Sequence, residues 1–443
     1  FLIFGSALVV TGGGDFFMDF ASALMGRSRG GPAKVAILSS GFFGSLSGSV
    51  ISNVVTTGKL TIPTMKRVGY PSVYAGAVES CASTGGALMP PVMGAVAFLM
   101  AEFLNVPYST VMIAAVVPAV IFYIALLLQV DNYAAVNDLK GMDEADVPNV
   151  WETFKGGWYY IFSLIALVYM LVWLRLDLYA PYYAAGILVF CSIVFRKGDK
   201  RFNLAKFKEL IVDSTKIISN IIAILAGVGM IVGSLAFTGV GGAFSRELLQ
   251  IAGDNLYVLL AMGAVTSFLL GMGMTVSACY IFLAIVLGPA LIDAGLDPIA
   301  SHLFILYWGM LSYITPPVAL AAVAASIIAK ADTMAIGMRS MRLGLINFIL
   351  PFIFVLNPAL ILRGEWDEII IMVSTALIAV WLMAAAFEGY LNKAGTIGWL
   401  VRVPLLVAAA CLLYPEGVSK IAGVVLVAIC YAIALFQRKS VAA

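Results

Sequence analysis

The chain has 443 residues, of which 62% are hydrophobic and 11% charged, with a mean hydropathy of +1.03 and a formal net charge of +2. Soluble domains sit near about 45–50% apolar and about 25% charged, so water cannot be the only solvent of this chain. Its apolar residues come in runs of roughly 18–22, the length that crosses about 30 Å of hydrocarbon as a helix. They lack the apolar–polar alternation of a membrane β-barrel.

In chain order, spans are predicted at 1–23, 74–104 (broken by Pro90-Pro91), 109–130, 158–174, 178–195, 213–236, 300–330 (broken by Pro316-Pro317), 343–362, 368–387, 397–414 and 418–436. Residues 33–66 and 255–293 are each apolar, then rich in Gly, Ser and Thr, then apolar again. Each is too short to cross twice and is predicted to form a re-entrant hairpin. The chain starts at Phe1 inside an apolar segment without a charged leader, so this is not a signal peptide, and further residues are expected before it.

Lys and Arg concentrate in short cytoplasmic loops. The run Arg196, Lys197, Lys200, Arg201, Lys206 and Lys208 is therefore placed inside. Counting outward puts Arg27, Arg29, Lys34, Lys66, Arg67, Lys330, Arg339, Arg342, Arg438 and Lys439 inside as well. The loops 105–108 and 294–299, which hold no basic residue, fall outside. The count works only when both hairpins return to the side they entered. Arg246, Asp254 and His302 are then expected at the outer interface.

Shifted by 226 residues, the sequence partly matches itself without a gap. Pro63 falls on Pro289, Gly69 on Gly295, Pro90-Pro91-Val92 on Pro316-Pro317-Val318, Ala95 on Ala321, and Ser49 on Thr275. Matched Pro and Gly in one register argue against chance in an apolar chain. Because the charge count runs the matched spans in opposite directions, this reads as an inverted-topology repeat. The expected fold is an all-α polytopic membrane protein. Its first repeat is 1–130, with hairpin 33–66 and broken helix 74–104. Connecting helices and the basic loop fill 131–212. The second repeat is 213–362, with hairpin 255–293 and broken helix 300–330, and C-terminal transmembrane helices occupy 363–443.

Chemistry is expected where backbone order fails. Pro-Pro in mid-span removes two N–H donors and turns the preceding residue away from helix. Ser83-Thr84-Gly85-Gly86 and Ser312-Tyr313-Ile314-Thr315 precede the two breaks, so carbonyl and hydroxyl oxygens should become available to a small cation. The hairpin tips, around Ser47-Gly48-Ser49 with Ser52, Asn53, Thr56 and Thr57, and around Gly271, Gly273, Thr275 and Ser277, supply small residues that let backbone approach a ligand. The half-helices after each tip direct N–H groups toward it, which suits a carboxylate. The alternative is that these small residues serve only close helix packing. Glu79, on the first broken helix, either lines the cavity or titrates, or pairs with a Lys or Arg near the inner face. Glu102 is placed near the outer end.

The stretch Gly44–Gly58 with Ile62-Pro63, then Ala77–Gly86, Met89–Gly94, Gly271–Thr275, Ile314–Val318 and Asn357-Pro358, resembles the membrane subunit of tripartite ATP-independent periplasmic (TRAP) transporters. It is most similar to fused permeases that work with a TAXI-type periplasmic solute-binding protein, and the resemblance covers about 1–362. It implies uptake of small organic acids through the bacterial or archaeal cytoplasmic membrane, handed over by the binding protein and usually driven by sodium. It also implies an elevator, in which a transport domain of about 33–104 and 255–330 slides against a scaffold. The cation sites it implies map to Ser47, Gly48 and Ser49 with Ser83, Thr84 and Gly85, and to Gly271, Gly273 and Thr275 with Ser312 and Thr315. Asn53 is the first candidate for solute contact, with Ser52, Thr56 and Ser277 beside it, and Asn53→Ala is expected to abolish uptake. A small membrane subunit, fused N-terminally or separate, is an expected partner, and no cofactor beyond the coupling ion is expected. Position 279 is Cys where the second tip would repeat Asn53, so the two sites need not be equivalent.

Rival readings fare worse on composition. Five scattered cysteines (Cys81, Cys191, Cys279, Cys411 and Cys430) fit no disulfide or metal spacing and read as packing residues. One histidine and no clustered acids leave an enzyme without acid/base machinery. No Gly-rich loop ending in Gly-Lys-Ser/Thr supports ATP-driven pumping. There is no basic patch for nucleic acid. A stand-alone carboxylate symporter, a proton-coupled permease and a channel stay open at this stage; saturable flux would argue against a channel.

Overall fold

The computed structural model describes residues 1–196, 201–253 and 255–442, leaving aside the side chains of residues 232, 236 and 435–442. Lys197, Lys200 and the side chains of Arg438 and Lys439, used in the charge count, and Asp254, expected at the outer interface, lie outside that description. The described chain is helical apart from one short hairpin. Among the described residues, six helices are long and apolar enough to cross a membrane, or seven when a bent pair is counted as one span.

The bent pair opens the chain. The apolar stretch 1–23 reads as a single span, but it forms α1 (Leu2–Val10) and α2 (Gly13–Met25), bent by 72°. Gly12 sits between them in the left-handed region at φ +88° and turns the chain. Next come α3 (Gly31–Ser47) and α4 (Val50–Arg67), joined by Gly48 and Ser49 into the first hairpin. The first broken helix is α5 (Ser72–Gly86) and α6 (Ala95–Leu104), and α7 (Tyr108–Val136) follows it.

Connecting helices are α8 (Val150–Val172), kinked at Gly157, and α9 (Ala180–Phe195). α10 (Leu204–Thr238) starts nine residues before its predicted span, so Lys206 and Lys208 lie on a helix and not in a loop. Arg196 is also tied down: its guanidinium hydrogen-bonds the Thr11 carbonyl and lies 5.7 Å from the Tyr160 ring centre. A helix absent from the sequence reading, α11 (Val240–Ala252), leads to the second hairpin and carries the exposed Arg246.

The second hairpin is α12 (Leu256–Gly271), α13 (Val276–Val286) and α14 (Gly288–Asp293), with Pro289 at the start of α14. The second broken helix is α15 (Pro298–Leu311) and α16 (Leu320–Ala329). α17 (Thr333–Leu343) and α18 (Ile346–Leu356) follow. The two breaks, 87–94 and 312–319, each hold a cis Pro-Pro bond, and Met93 and Ala319, related by the 226-residue shift, both adopt positive φ.

Packing interlocks the halves. α16 lies against α4 and α5, while α6 lies against α13 and α15. Nearly every residue of α5 and of α15 is buried, so the first segment of each broken helix forms the centre of the molecule.

The C-terminal unit is α19 (Trp366–Glu388), β1 (Tyr390–Leu391) paired with β2 (Gly395–Thr396), α20 (Trp399–Leu413) and α21 (Gly417–Ala442). α19 packs on α7. Arg342 hydrogen-bonds the Phe387 carbonyl and stands 3.5 Å from the buried Glu388, and Arg29 covers the Tyr390 ring at 5.2 Å. These cations tie the C-terminal unit to the body. Of the five cysteines, four are buried and Cys411 is half-buried, all as free thiols.

Candidate functional site

Both hairpin tips are made by the same local chemistry. α3 ends at Ser47, Gly48 turns left-handed at φ +62°, and extended Ser49 caps α4, its Oγ accepting from the Ser52 N–H at 3.3 Å. α12 ends at Gly271, Gly273 turns left-handed at φ +81°, and extended Thr275 caps α13, its Oγ1 accepting from the Ala278 N–H at 3.3 Å. Each tip therefore holds the N-terminus of a helix, with unpaired N–H groups and the positive end of its dipole.

The tips open on one cavity of about 770 Å3. Ser47, Gly48, Ser49, Ser52 and Thr56 line it from the first hairpin, Thr275 and Ser277 from the second, and Tyr313 from the second break. α10 adds Asp213, Lys216, Ile217, Asn220, Ile221 and Ile224, whose three- and four-residue spacing makes one helix face. The sequence reading missed this wall. Its signal was an Asp and a Lys inside a predicted span, costly there unless they face a cavity.

Asn53 does not line the cavity. It is fully buried, its Nδ2 donating to the Ser40 carbonyl at 2.8 Å and its Oδ1 3.2 Å from Thr57 Oγ1. Position 53 falls on the inner face of α4, one residue past cavity-lining Ser52, so helical rotation turns it toward α3 and α5. Glu79 lies in the same interior, fully buried. It accepts from the hydroxyls of Thr57 at 2.5 Å, Ser40 at 2.8 Å and Ser83 at 3.1 Å, and from Thr61. Its partners are hydroxyls, where the sequence reading offered a Lys or Arg.

The predicted cation ligands are divided. Gly48 abuts Gly94: a Cβ on Gly48 would sit 2.1 Å from the Gly94 Cα, so the first tip rests on the first break. Ser83 donates to Glu79, Thr84 donates to the Ser80 carbonyl at 2.8 Å, and Gly85 packs on the Phe122 ring. The Thr84 and Gly85 carbonyls accept from Ala87 and Leu88, so the break is a turn whose oxygens are partly used, not free. Ser312 ties the second break to the second tip, its Oγ 2.9 Å from the Gly271 carbonyl, and Tyr313 donates to the Met274 carbonyl at 3.2 Å. Ser47 Oγ and Thr315 Oγ1, one in each half, are buried without a hydrogen-bond partner. A hydroxyl in that condition keeps its lone pairs open to a cation.

His302 is buried on α15, its Nδ1 2.6 Å from the Tyr280 hydroxyl of α13, because that partner makes burial affordable. Glu102 is exposed near the end of α6.

The two hairpin tips of this polytopic helical protein thus meet at one cavity lined by hydroxyls and apolar side chains. Residues 1–369 match the family described as "Tripartite ATP-independent periplasmic transporter, DctM component", and the chain belongs to that family. The C4-dicarboxylate TRAP transporter large permease protein DctM of Pseudomonas aeruginosa is 25% identical over 322 residues, 72% of this chain and 74% of the relative. The 2,3-diketo-L-gulonate TRAP transporter large permease protein YiaN of Escherichia coli is 23% identical over 72% of this chain and 74% of its own length. The sialic acid TRAP transporter permease protein SiaT of Haemophilus influenzae is 24% identical over 85% of this chain and 59% of its own length.

Proposed function

We propose that the chain is the large permease of a TRAP transporter that imports small organic acids across a bacterial or archaeal cytoplasmic membrane. The observation that carries this reading is the single cavity shared by both hairpin tips, each presenting a helix N-terminus and hydroxyls to one solute. The named relatives carry acids, which fits a site whose backbone donors face inward. Family membership implies a periplasmic binding protein and a small membrane subunit. The TAXI type of that binding protein rests on sequence motifs.

The coupling ion in this reading is sodium, held between each tip and its break, with the Ser47 and Thr315 hydroxyls among its ligands. Cations bind first and stiffen the tips, and the solute carboxylate then docks on the tip N–H groups. The reciprocal packing of α16 on α4 and α5, and of α6 on α13 and α15, supports two inverted repeats that move as one transport domain. In proteoliposomes of the complete membrane assembly, labelled organic acids should enter only with the binding protein and a sodium gradient. Uptake without the binding protein would point to a stand-alone symporter, and uptake on protons alone would remove sodium from the account.

A further inference from the structure

Among the described residues two carboxylates are buried, Glu79 and Glu388. Glu388 has a cation, Arg342, at 3.5 Å. The groups on the Glu79 carboxylate are hydroxyls alone: Ser40 from α3, Thr57 and Thr61 from α4, and Ser83 one turn further along α5. Hydroxyls satisfy its lone pairs but bring no opposite charge, which a buried ion needs. The second half of the chain does without this group. The 226-residue shift carries Glu79 onto Ile305, Thr57 onto Leu283, Thr61 onto Leu287 and Ser83 onto Gly309. Ile305, Leu283 and Leu287 are fully buried, so plain apolar packing fills the corresponding place between hairpin and broken helix. A carboxylate where aliphatic side chains would pack equally well calls for a charge that it serves.

Ser83 links the carboxylate to the first break. It stands on the last turn of α5, and its one proton goes to Glu79 Oε1 at 3.1 Å, which leaves both lone pairs of its Oγ unused. The first tip closes on the same break, Gly48 against Gly94, and carries the unpartnered Ser47 hydroxyl. On the sodium-coupled permease reading above, we infer that Glu79 is a positioning residue for the cation held between the first tip and the first break. It takes the Ser83 proton, so the Ser83 oxygen turns its lone pairs to the ion. It also supplies the negative charge that a dehydrated cation needs in a low-dielectric interior. The second site, with Ile305 in that place, has no such charge, so the first site fills at the lower sodium concentration.

The test is thermal unfolding of the purified complete assembly at rising sodium chloride, with choline chloride holding the ionic strength constant and no solute present. Sodium should stabilise the wild-type protein, because an ion that binds only the folded state raises its melting temperature. Glu79→Gln keeps the size of the side chain and removes its charge, and the sodium concentration for half-maximal stabilisation should rise about tenfold. Glu79→Asp keeps the charge and should recover most of that loss. Ser83→Ala removes the ligand oxygen and should raise the same concentration, so the inference stays testable where the Gln variant does not fold. A carboxylate with a packing role alone would lower the melting temperature in sodium-free buffer and leave the half-maximal concentration unchanged. That result, in Glu79→Gln or in Ser83→Ala, overturns the inference while the permease reading stands. Wild-type protein that sodium does not stabilise overturns the sodium reading and this inference together.

Discussion

Glu79 shows how a carboxylate is kept inside this protein. Burying an unpaired ion is expensive, and four hydroxyls aimed at one carboxylate replace water with fixed donors. Asn53 belongs to the same knot, bridging α3 and α4 through the Ser40 carbonyl and Thr57. In this arrangement it bridges two helices away from the cavity wall, so the expected effect of Asn53→Ala moves from solute binding to stability. The variant should lose about 1–3 kcal/mol of stability, because the Ser40 carbonyl loses a buried donor. Its KM for solute should stay at the wild-type value in the protein that folds. Thermal melting in detergent and uptake kinetics separate the two effects, and a large rise in KM at unchanged melting would return Asn53 to the solute. The Asn in the tip motif was visible in the sequence, but its direction was not: one step along a helix turns a side chain by about 100°, so Ser52 and Asn53 face different surroundings.

At the scale of elements, the two tips look alike in sequence and differ in what they touch. Gly48 and Gly273 both sit at positive φ, where a side chain costs about 1–2 kcal/mol. Gly48 also meets Gly94 backbone, while nothing lies within 4 Å of a Cβ on Gly273. Gly48→Ala should therefore push the first tip off its break and abolish uptake. Gly273→Ala should lower stability by the backbone cost alone and leave most transport intact. Equal losses in the two variants, measured as uptake per folded molecule, would contradict this asymmetry. Hairpins and broken helices were legible because Gly and Pro punctuate the chain at fixed places, and a cap or a missing N–H acts locally. The bend at Gly12 and the long start of α10 were less legible. Hydropathy sees the apolar content of 1–23 but not a left-handed turn within it, and Lys206 and Lys208 read as loop until helical continuity carries them.

Over the whole molecule, the sequence announced an all-α membrane protein, because apolar runs survive without any knowledge of contacts, and its two Pro-Pro pairs both fall at helix breaks. It could not announce the α10 wall, since which helix faces the tips depends on packing between residues far apart in the chain. Nor could it place the C-terminal unit, whose anchors, Arg342 at Glu388 and Arg29 over Tyr390, are long-range pairs. The central claim is that both tips form one solute site. The direct measurement is thiol labelling of Ser52→Cys and Ser277→Cys, made singly with Cys411 replaced, in proteoliposomes of the complete assembly. Both positions line the cavity. The account predicts that a transported acid in the presence of sodium slows labelling at both positions together. Protection at one tip alone, or at neither while uptake proceeds, would contradict it.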